Sequence, residues 1–196
     1  GTYATQVTPS AGVDGTFTAS NYVITYAKGA IIVDKLAVTV TALTGTKVYD
    51  GLLTSAGAPT VGTLATGDAV LTAPTQVYDD PNVGTTHVLS ASGLTIENAA
   101  HANVTASYDI TYTPTGASGE ITTRGLTITA NDVHKSYGTA ITGGAGSTAF
   151  TSSGLQNSET IGTVTIAYGT GSAASAVAGT YATQVTPSAG VDGTFT

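Results

Sequence analysis

The sequence predicts an all-β protein made of tandem small modules of Ig-like sandwich type, with β-grasp-like modules as the alternative. Three observations carry that prediction. Residues 1–18, GTYATQVTPSAGVDGTFT, return unchanged at 179–196, so the second copy begins 178 residues after the first. Internal repetition at a fixed spacing marks an array, and the expected array period is 178 residues. The composition is apolar but hardly charged, with 41% hydrophobic residues, ten Tyr and only 9% charged residues, against about 25% charged in ordinary domains. Finally, short runs of alternating apolar and Thr residues are broken by Gly, Pro, Asn and Asp, which leaves no room for long helices.

The same numbers exclude several classes of function. Twelve acidic against five basic residues give a net charge of −7. With no Lys or Arg cluster, neither nucleic acid nor an anionic membrane surface is an expected partner. No apolar run approaches the roughly 20 residues of a membrane-spanning helix. No secretory leader opens the sequence, and a window on a longer chain would carry none. Cys, Met and Trp are absent, so there is no disulfide framework, no thiolate metal site and no Met to oxidise. Disorder is not expected, because the apolar and β-branched content is high.

Taken in order, Tyr3 and Val7 belong to short strands, and residues 9–15 read as a turn region. Residues 21–33, NYVITYAKGAIIV, alternate Tyr22, Ile24 and Tyr26 with Val23 and Thr25, turn at Lys28-Gly29 and return as a second strand, a β-hairpin pattern. In LAVTVTA at 36–42, Leu36, Val38 and Val40 share one face, with Thr39 and Thr41 on the other, as in a strand with one side on a core. KVYDG at 47–51 ends in an Asp50-Gly51 turn signal, and Gly67-Asp68 and Asp80-Pro81-Asn82 follow. Residues 94–102 have too few periodic apolar positions for a helix.

The pattern then recurs in diverged form. SYDITYTPTGASGEITTR at 107–124 answers the hairpin at 21–33, with Tyr108, Ile110 and Tyr112 in the places of Tyr22, Ile24 and Tyr26. GLTITANDVHKSYG at 125–138 answers LAVTVTALTGTKVYDG at 36–51. Tyr49 and Tyr137 stand 88 residues apart, leaving 90 to complete the period, each close to the about 100 residues of a small sandwich. The expected organisation is the C-terminal part of one module at 1–35, a complete module at 36–124 and the N-terminal part of the next at 125–196. Val33-Asp34-Lys35 and Thr123-Arg124 would be the linkers.

KVYDG, the Gly-Asp turn and the closing SYDITYTPTGASGEI resemble the YDG-type repeat of large bacterial surface adhesins. KSYGTA at 135–140, GLQNSET and GTYATQVTPS, with NYVITYAKGAIIV in the wrapped register, resemble the MBG domain of YGX type. The two kinds are similar to modules that alternate in filamentous-haemagglutinin-like exoproteins. The resemblance implies a secreted, elongated, all-β stalk or adhesive region, and these families carry no catalytic set.

Each candidate for chemistry has a structural reading beside it. Tyr49, Asp50 and Gly51, and Tyr137 with Gly138, could contact a ligand. The expectation is that the two Tyr anchor strand ends in the core and the Gly supply positive φ. Asp79, Asp80 and Asn82 are the calcium candidates, but they lack EF-hand spacing and stand beside Pro81 as turn formers do. His87, His101 and His134 are too scattered to be a zinc set, and no nucleophile elbow is present, so no enzyme, metal or cofactor is expected. Lys35, Lys47 and Lys135 with Asn103 or Asn131 are the isopeptide candidates, and solvated lysines the preferred reading. Asn103-Val104-Thr105 is an N-glycosylation sequon, inert in a bacterial protein.

The expected function is a structural repeat unit of a long extracellular bacterial adhesin or filament, acting as stalk or spacer at the cell surface. Neighbouring repeats would be its partners. A glycan- or protein-binding module and a filament subunit joined by strand donation are the alternatives.

Overall fold

A computed structural model describes residues 1–10, 15–116 and 118–192 of the chain. Within them the protein is all-β, with three single turns of 3-10 helix. The strands are, in order, β1 (Thr2–Val7), β2 (Gly29–Ile32), β3 (Leu36–Thr41), β4 (Thr46–Val48), β5 (Thr60–Val61), β6 (Ala69–Thr72), β7 (Thr75–Tyr78), β8 (Gly84–His87) and β9 (Leu89–Ser92). They continue with β10 (Thr95–Glu97), β11 (Tyr108–Thr113), β12 (Gly119–Thr122), β13 (Thr127–Ala130), β14 (Gly144–Ser147), β15 (Phe150–Ser153), β16 (Ile161–Tyr168) and β17 (Val185–Asp192). No helix among the described residues is long and apolar enough to cross a membrane.

The chain divides into two compact units that interleave along the sequence. One is Gly1–Leu43, Ala56–Gln76 and Leu89–Thr115, and the other is Thr44–Ser55, Val77–Val88 and Gly116–Thr196. In the first unit, β3 is the middle strand of the sheet β11-β3-β5. Val38 and Val40 point inward from β3 and are buried with Leu89, Ala91, Leu94, Ile96 and Tyr108. The period-2 pattern places them there, while Leu36, on the same face but at the strand's end, is exposed. The buried Gln76 amide completes the edge: Oε1 accepts from Leu43 N at 2.8 Å and Nε2 donates to Leu43 O at 2.9 Å. Two further pairs, β10-β6 and β1-β2, belong to this unit, and every residue of β1 and β2 is exposed.

The second unit holds the sheets β4-β12-β8, β13-β15 and β14-β16-β17. Its central cluster is Ile161, Val164 and Ile166 of β16, with Ile128, Phe150, Leu155 and Val185 packed against it. A two-stranded pair, β7-β9, makes the remaining sheet.

Both expected hairpins are corrected. Tyr108–Thr113 and Gly119–Thr122 do not pair with each other. β11 pairs in parallel with β3, Tyr108 opposite Leu36, whereas β12 lies in another sheet between β4 and β8. Two alternating runs joined by a turn read as a hairpin, but parallel partners from the start of the module win both strands. At 21–33 the first run forms no strand at all, and Gly29–Ile32 pairs with β1, Val7 opposite Gly29.

The two copies of the duplicated stretch take different partners. In the first, Thr2–Val7 is a strand on β2. In the second, residues 180–184 are not strand and Val185–Asp192 pairs with β16 instead. One feature is common to both: Thr5 and its equivalent Thr183 each hold φ at 60°. That is an outlier for a β-branched residue, and its recurrence ties it to the local sequence rather than to the partner strand. Part of the expected turn at 9–15, residues 11–14, lies outside the described residues, as do 193–196 of the second copy.

Candidate functional site

The motif at 49–51 closes the turn after β4. Asp50 Oδ1 accepts from Lys47 Nζ at 2.7 Å and from Leu52 N at 2.9 Å. The Lys47 ammonium beside it, then the Leu52 N–H, hold the Asp50 carboxyl below its usual range. Lys47 Nζ also donates to Leu52 O and to Thr54 O and lies 5.3 Å from the Tyr78 ring centroid, within cation–π range. Gly51 has φ of +70°, and a Cβ there would meet Asn157 Nδ2 at 2.1 Å.

Beyond the turn, the motif grips the segment 156–159. Tyr49 OH donates to Glu159 Oε1 at 2.5 Å, and Asn157 Nδ2 donates to Gly51 O at 2.7 Å. Glu159 Oε2 accepts from Gln156 N at 3.1 Å, which fixes the carboxylate. The hydroxyl's hydrogen bond, then the Gln156 N–H, hold Glu159 below the usual carboxyl range. The same bond, with burial second, raises the Tyr49 phenol above its ordinary value. Every polar group of the Tyr-Asp-Gly turn that these contacts involve is thus spent on the protein itself.

The corresponding turn at Tyr137-Gly138 differs. Gly138 has φ of +87°, but Tyr137 is 72% exposed, which corrects the expectation that it anchors a strand end in the core. Its segment takes no partner strand among the described residues, so nothing draws the ring inward. What the two turns share is the lysine. Lys135 Nζ donates to Thr139 O at 3.1 Å and Ala173 O at 2.8 Å, capping carbonyls as Lys47 does.

The calcium candidates form a small His-centred loop. Asp79 Oδ1 lies 2.9 Å from His87 Nδ1, Asp79 Oδ2 accepts from Val88 N at 3.1 Å, and His87 Nε2 lies 3.0 Å from Asn82 O. Asp80 Oδ1 accepts from Asn82 N at 2.7 Å, an Asx turn. The His87 contact, then the Val88 N–H, depress the Asp79 carboxyl. The oxygens a cation would need face an imidazole and backbone N–H groups, and no group of three acidic, His or Cys residues is placed to hold a metal among the described residues.

The other candidates are not brought together. His101, at φ of 58°, meets Glu97 at 3.1 Å. His134 is exposed in the segment before Lys135, and Lys35 is exposed at its linker. Asn103 spends its Oδ1 on Thr105 N at 2.9 Å, and Asn131 N donates to Ala149 O. Sequence reasoning missed Asn157 and Glu159, which lie in the run GLQNSET. Asn157 and Ser158 have φ of 46° and 61°, a tight turn that an Asn-Ser pair permits but does not announce.

The family comparison falls on this motif. Residues 34–117 match the YDG domain family, spanning β3 to the turn after β11. A YDG domain is thus detected over 34–117. No curated protein and no solved structure matches the chain. In the YDG domain, the naming Tyr, Asp and Gly hold a turn and, through Tyr49 and Gly51, the segment at 156–159 that follows the matched residues.

Proposed function

We propose that this chain is a structural repeat unit of a long extracellular bacterial adhesin or filament, in which the YDG domain alternates with modules of MBG type and acts as stalk or spacer. The observation that carries the reading is the grip of Tyr49 and Gly51 on Glu159 and Asn157. A motif that spends its hydroxyl and carbonyl on the next stretch of the same chain couples successive modules. A ligand site would leave those groups free. The modules are proposed to be small Ig-like sandwiches, supported by the allocation of the closing strands β11 and β12 to separate sheets. The exact 18-residue duplication supports an array of 178-residue period. A sequence with 9% charged residues and no Cys or Met suits an extracellular filament. Its partners in this reading are neighbouring repeats, and no catalytic step is assigned to it.

Small-angle scattering on a polypeptide of three periods, paired with a glycan array, tests the proposal. A stiff rod whose length rises linearly with period number, and no glycan bound, is the expected result. A freely hinged chain overturns the stalk, and specific glycan capture replaces the spacer with an adhesive module.

A further inference from the structure

The YDG domain with β12 and the second half of the chain share a strand plan, and among the described residues the second half lacks two strands of it, the counterparts of β12 and β11. GTTHVLSAS at 84–92 corresponds to GTYATQVTPS at 179–188, and TQVY at 75–78 to TIAY at 165–168. GEIT at 119–122 corresponds to GAII at 29–32, and TKV at 46–48 to HKS at 134–136. There a single copy of the GTTHVLSAS stretch makes two pairings: β8 joins β12, which follows the matched residues, and β9 joins β7. The duplicated stretch makes the same two pairings, but one in each copy. Its first copy joins β2, the counterpart of β12, and its second copy joins β16, which contains the counterpart of β7. Each copy therefore carries half of what one module needs.

The place of the β12 counterpart is open. β12 is the middle strand of β4-β12-β8. The counterparts of its two neighbours, 134–136 and 179–182, form no strands. His134, Lys135, Gly179, Tyr181 and Ala182 instead line a cavity of about 590 Å³ in the second unit. That counterpart is present elsewhere in the sequence as β2. It has a neighbour on one edge only, against two for β12, and all four of its residues are exposed. The segment before it shows the same deficit. Tyr108–Thr113 lies in parallel on β3, but its counterpart Tyr22, Val23 and Ile24 is unpaired, with Val23 99% exposed. β13, the counterpart of β3, has one neighbour, β15.

We infer that residues 19–33 of a second copy of this repeat complete the module formed by 125–192, with Gly29–Ile32 as the middle strand of the cavity between 134–136 and 179–182. Both registers follow from the structure. On the 179–182 side Tyr181 faces Ile31 and Val185 faces Gly29, as Tyr3 and Val7 do in the first copy. On the other side Ala30 faces His134 in parallel, as Glu120 faces Thr46. Tyr22 to Tyr26 then adds to the open edge of β13 in parallel, Ile24 opposite Ile128, as Ile110 faces Val38. An unpaired edge beside a slot of matching length is a template for such a strand. The duplicated stretch becomes the strand common to two repeats, with β16 on one side and the next repeat's β2 on the other.

The inference rests on the array reading, and its test is separable from that reading. The chain has no Cys, so introduced thiols report pairing without background. Full-length Ala30→Cys and His134→Cys chains, mixed in a glutathione redox buffer, are expected to give a mixed disulfide between molecules. The yield should be about tenfold that of Ile31→Cys mixed with His134→Cys, because a one-residue slip turns the side chain to the opposite face. In parallel, residues 19–196, one period without the redundant first copy, are expected to associate head to tail or close into rings in sedimentation velocity. A free peptide of residues 1–18 should break these assemblies by capping β2. Equal cross-linking of the two cysteine pairs, or none, overturns the inference whatever the fate of the truncated chain. Glycan binding would overturn the spacer reading and leave the cross-link in place.

Discussion

Gly51 faces two demands at once, a φ of +70° and the side chain of Asn157 where a Cβ would stand. Gly51→Ala is therefore expected to destabilise the protein by at least about 1 kcal/mol, because neither the backbone nor the turn opposite accommodates the methyl. A shift of the urea midpoint at unchanged slope checks it. The Tyr49–Glu159 hydrogen bond sets a pH window. Glu159 is depressed, so the bond's contribution is complete above the unfolded carboxyl range of about 4.3 and is lost as pH falls through the lower native value. Tyr49 is raised, so the contribution is complete below about 10 and is lost as pH rises through the higher native value. Tyr49→Phe should remove both limbs. The difference in denaturation midpoint between wild type and variant is then expected to be flat from about pH 5 to 9 and to vanish at either extreme. A difference that persists at pH 2 would refute the bond as its source. The Asp50-Gly51 turn was legible because few residues adopt positive φ. The Glu159 contact was not, since no sequence pattern links positions 110 residues apart.

At the scale of elements, alternation located the strands but not their partners. Tyr108, Ile110 and Tyr112 gave β11 its pattern, yet its neighbour is β3, the first strand of the domain, in parallel. A period of two specifies which face is buried and is silent on which edge is paired. The same pattern at 22–26 yields no strand, because alternation without a partner edge buries nothing. Substitutions should reflect the difference. Leu89→Ala, at a fully buried position, is expected to cost about 2–5 kcal/mol. Val23→Ala, at 99% exposure, should stay within about 0.5 kcal/mol in the isolated chain. Equilibrium denaturation of both variants checks the contrast, and a large loss at Val23 would mean that its strand is formed in the free chain.

Across the whole molecule, all-β architecture followed from composition and turn spacing, and the YDG domain from a short motif with its module length. The division into interleaved units did not follow, because the chain crosses between them after Leu43, Ser55, Gln76, Val88 and Thr115, positions that carry no common signal, one of them inside β7. Hydrogen exchange should map the consequence. Amides at 23–25, outside any strand, are expected to exchange at near-unfolded rates, and those of β3, flanked on both edges, should be among the slowest. Mass spectrometry of peptic fragments reads both, and protection at 23–25 would contradict the description of that segment.

The parallel pairing of β3 with β11 has a mechanical consequence. The strand that opens the YDG domain lies alongside the one that closes it and runs the same way. Tension applied to the chain on either side of the domain therefore pulls the two strands lengthwise in opposite directions. The six facing residue pairs from Tyr108–Leu36 to Thr113–Thr41 then bear the load together, in shear. An antiparallel hairpin at the same ends would open one bond at a time. A domain wired in this way is expected to resist stretching more than one closed by a hairpin, as the proposed stalk would require.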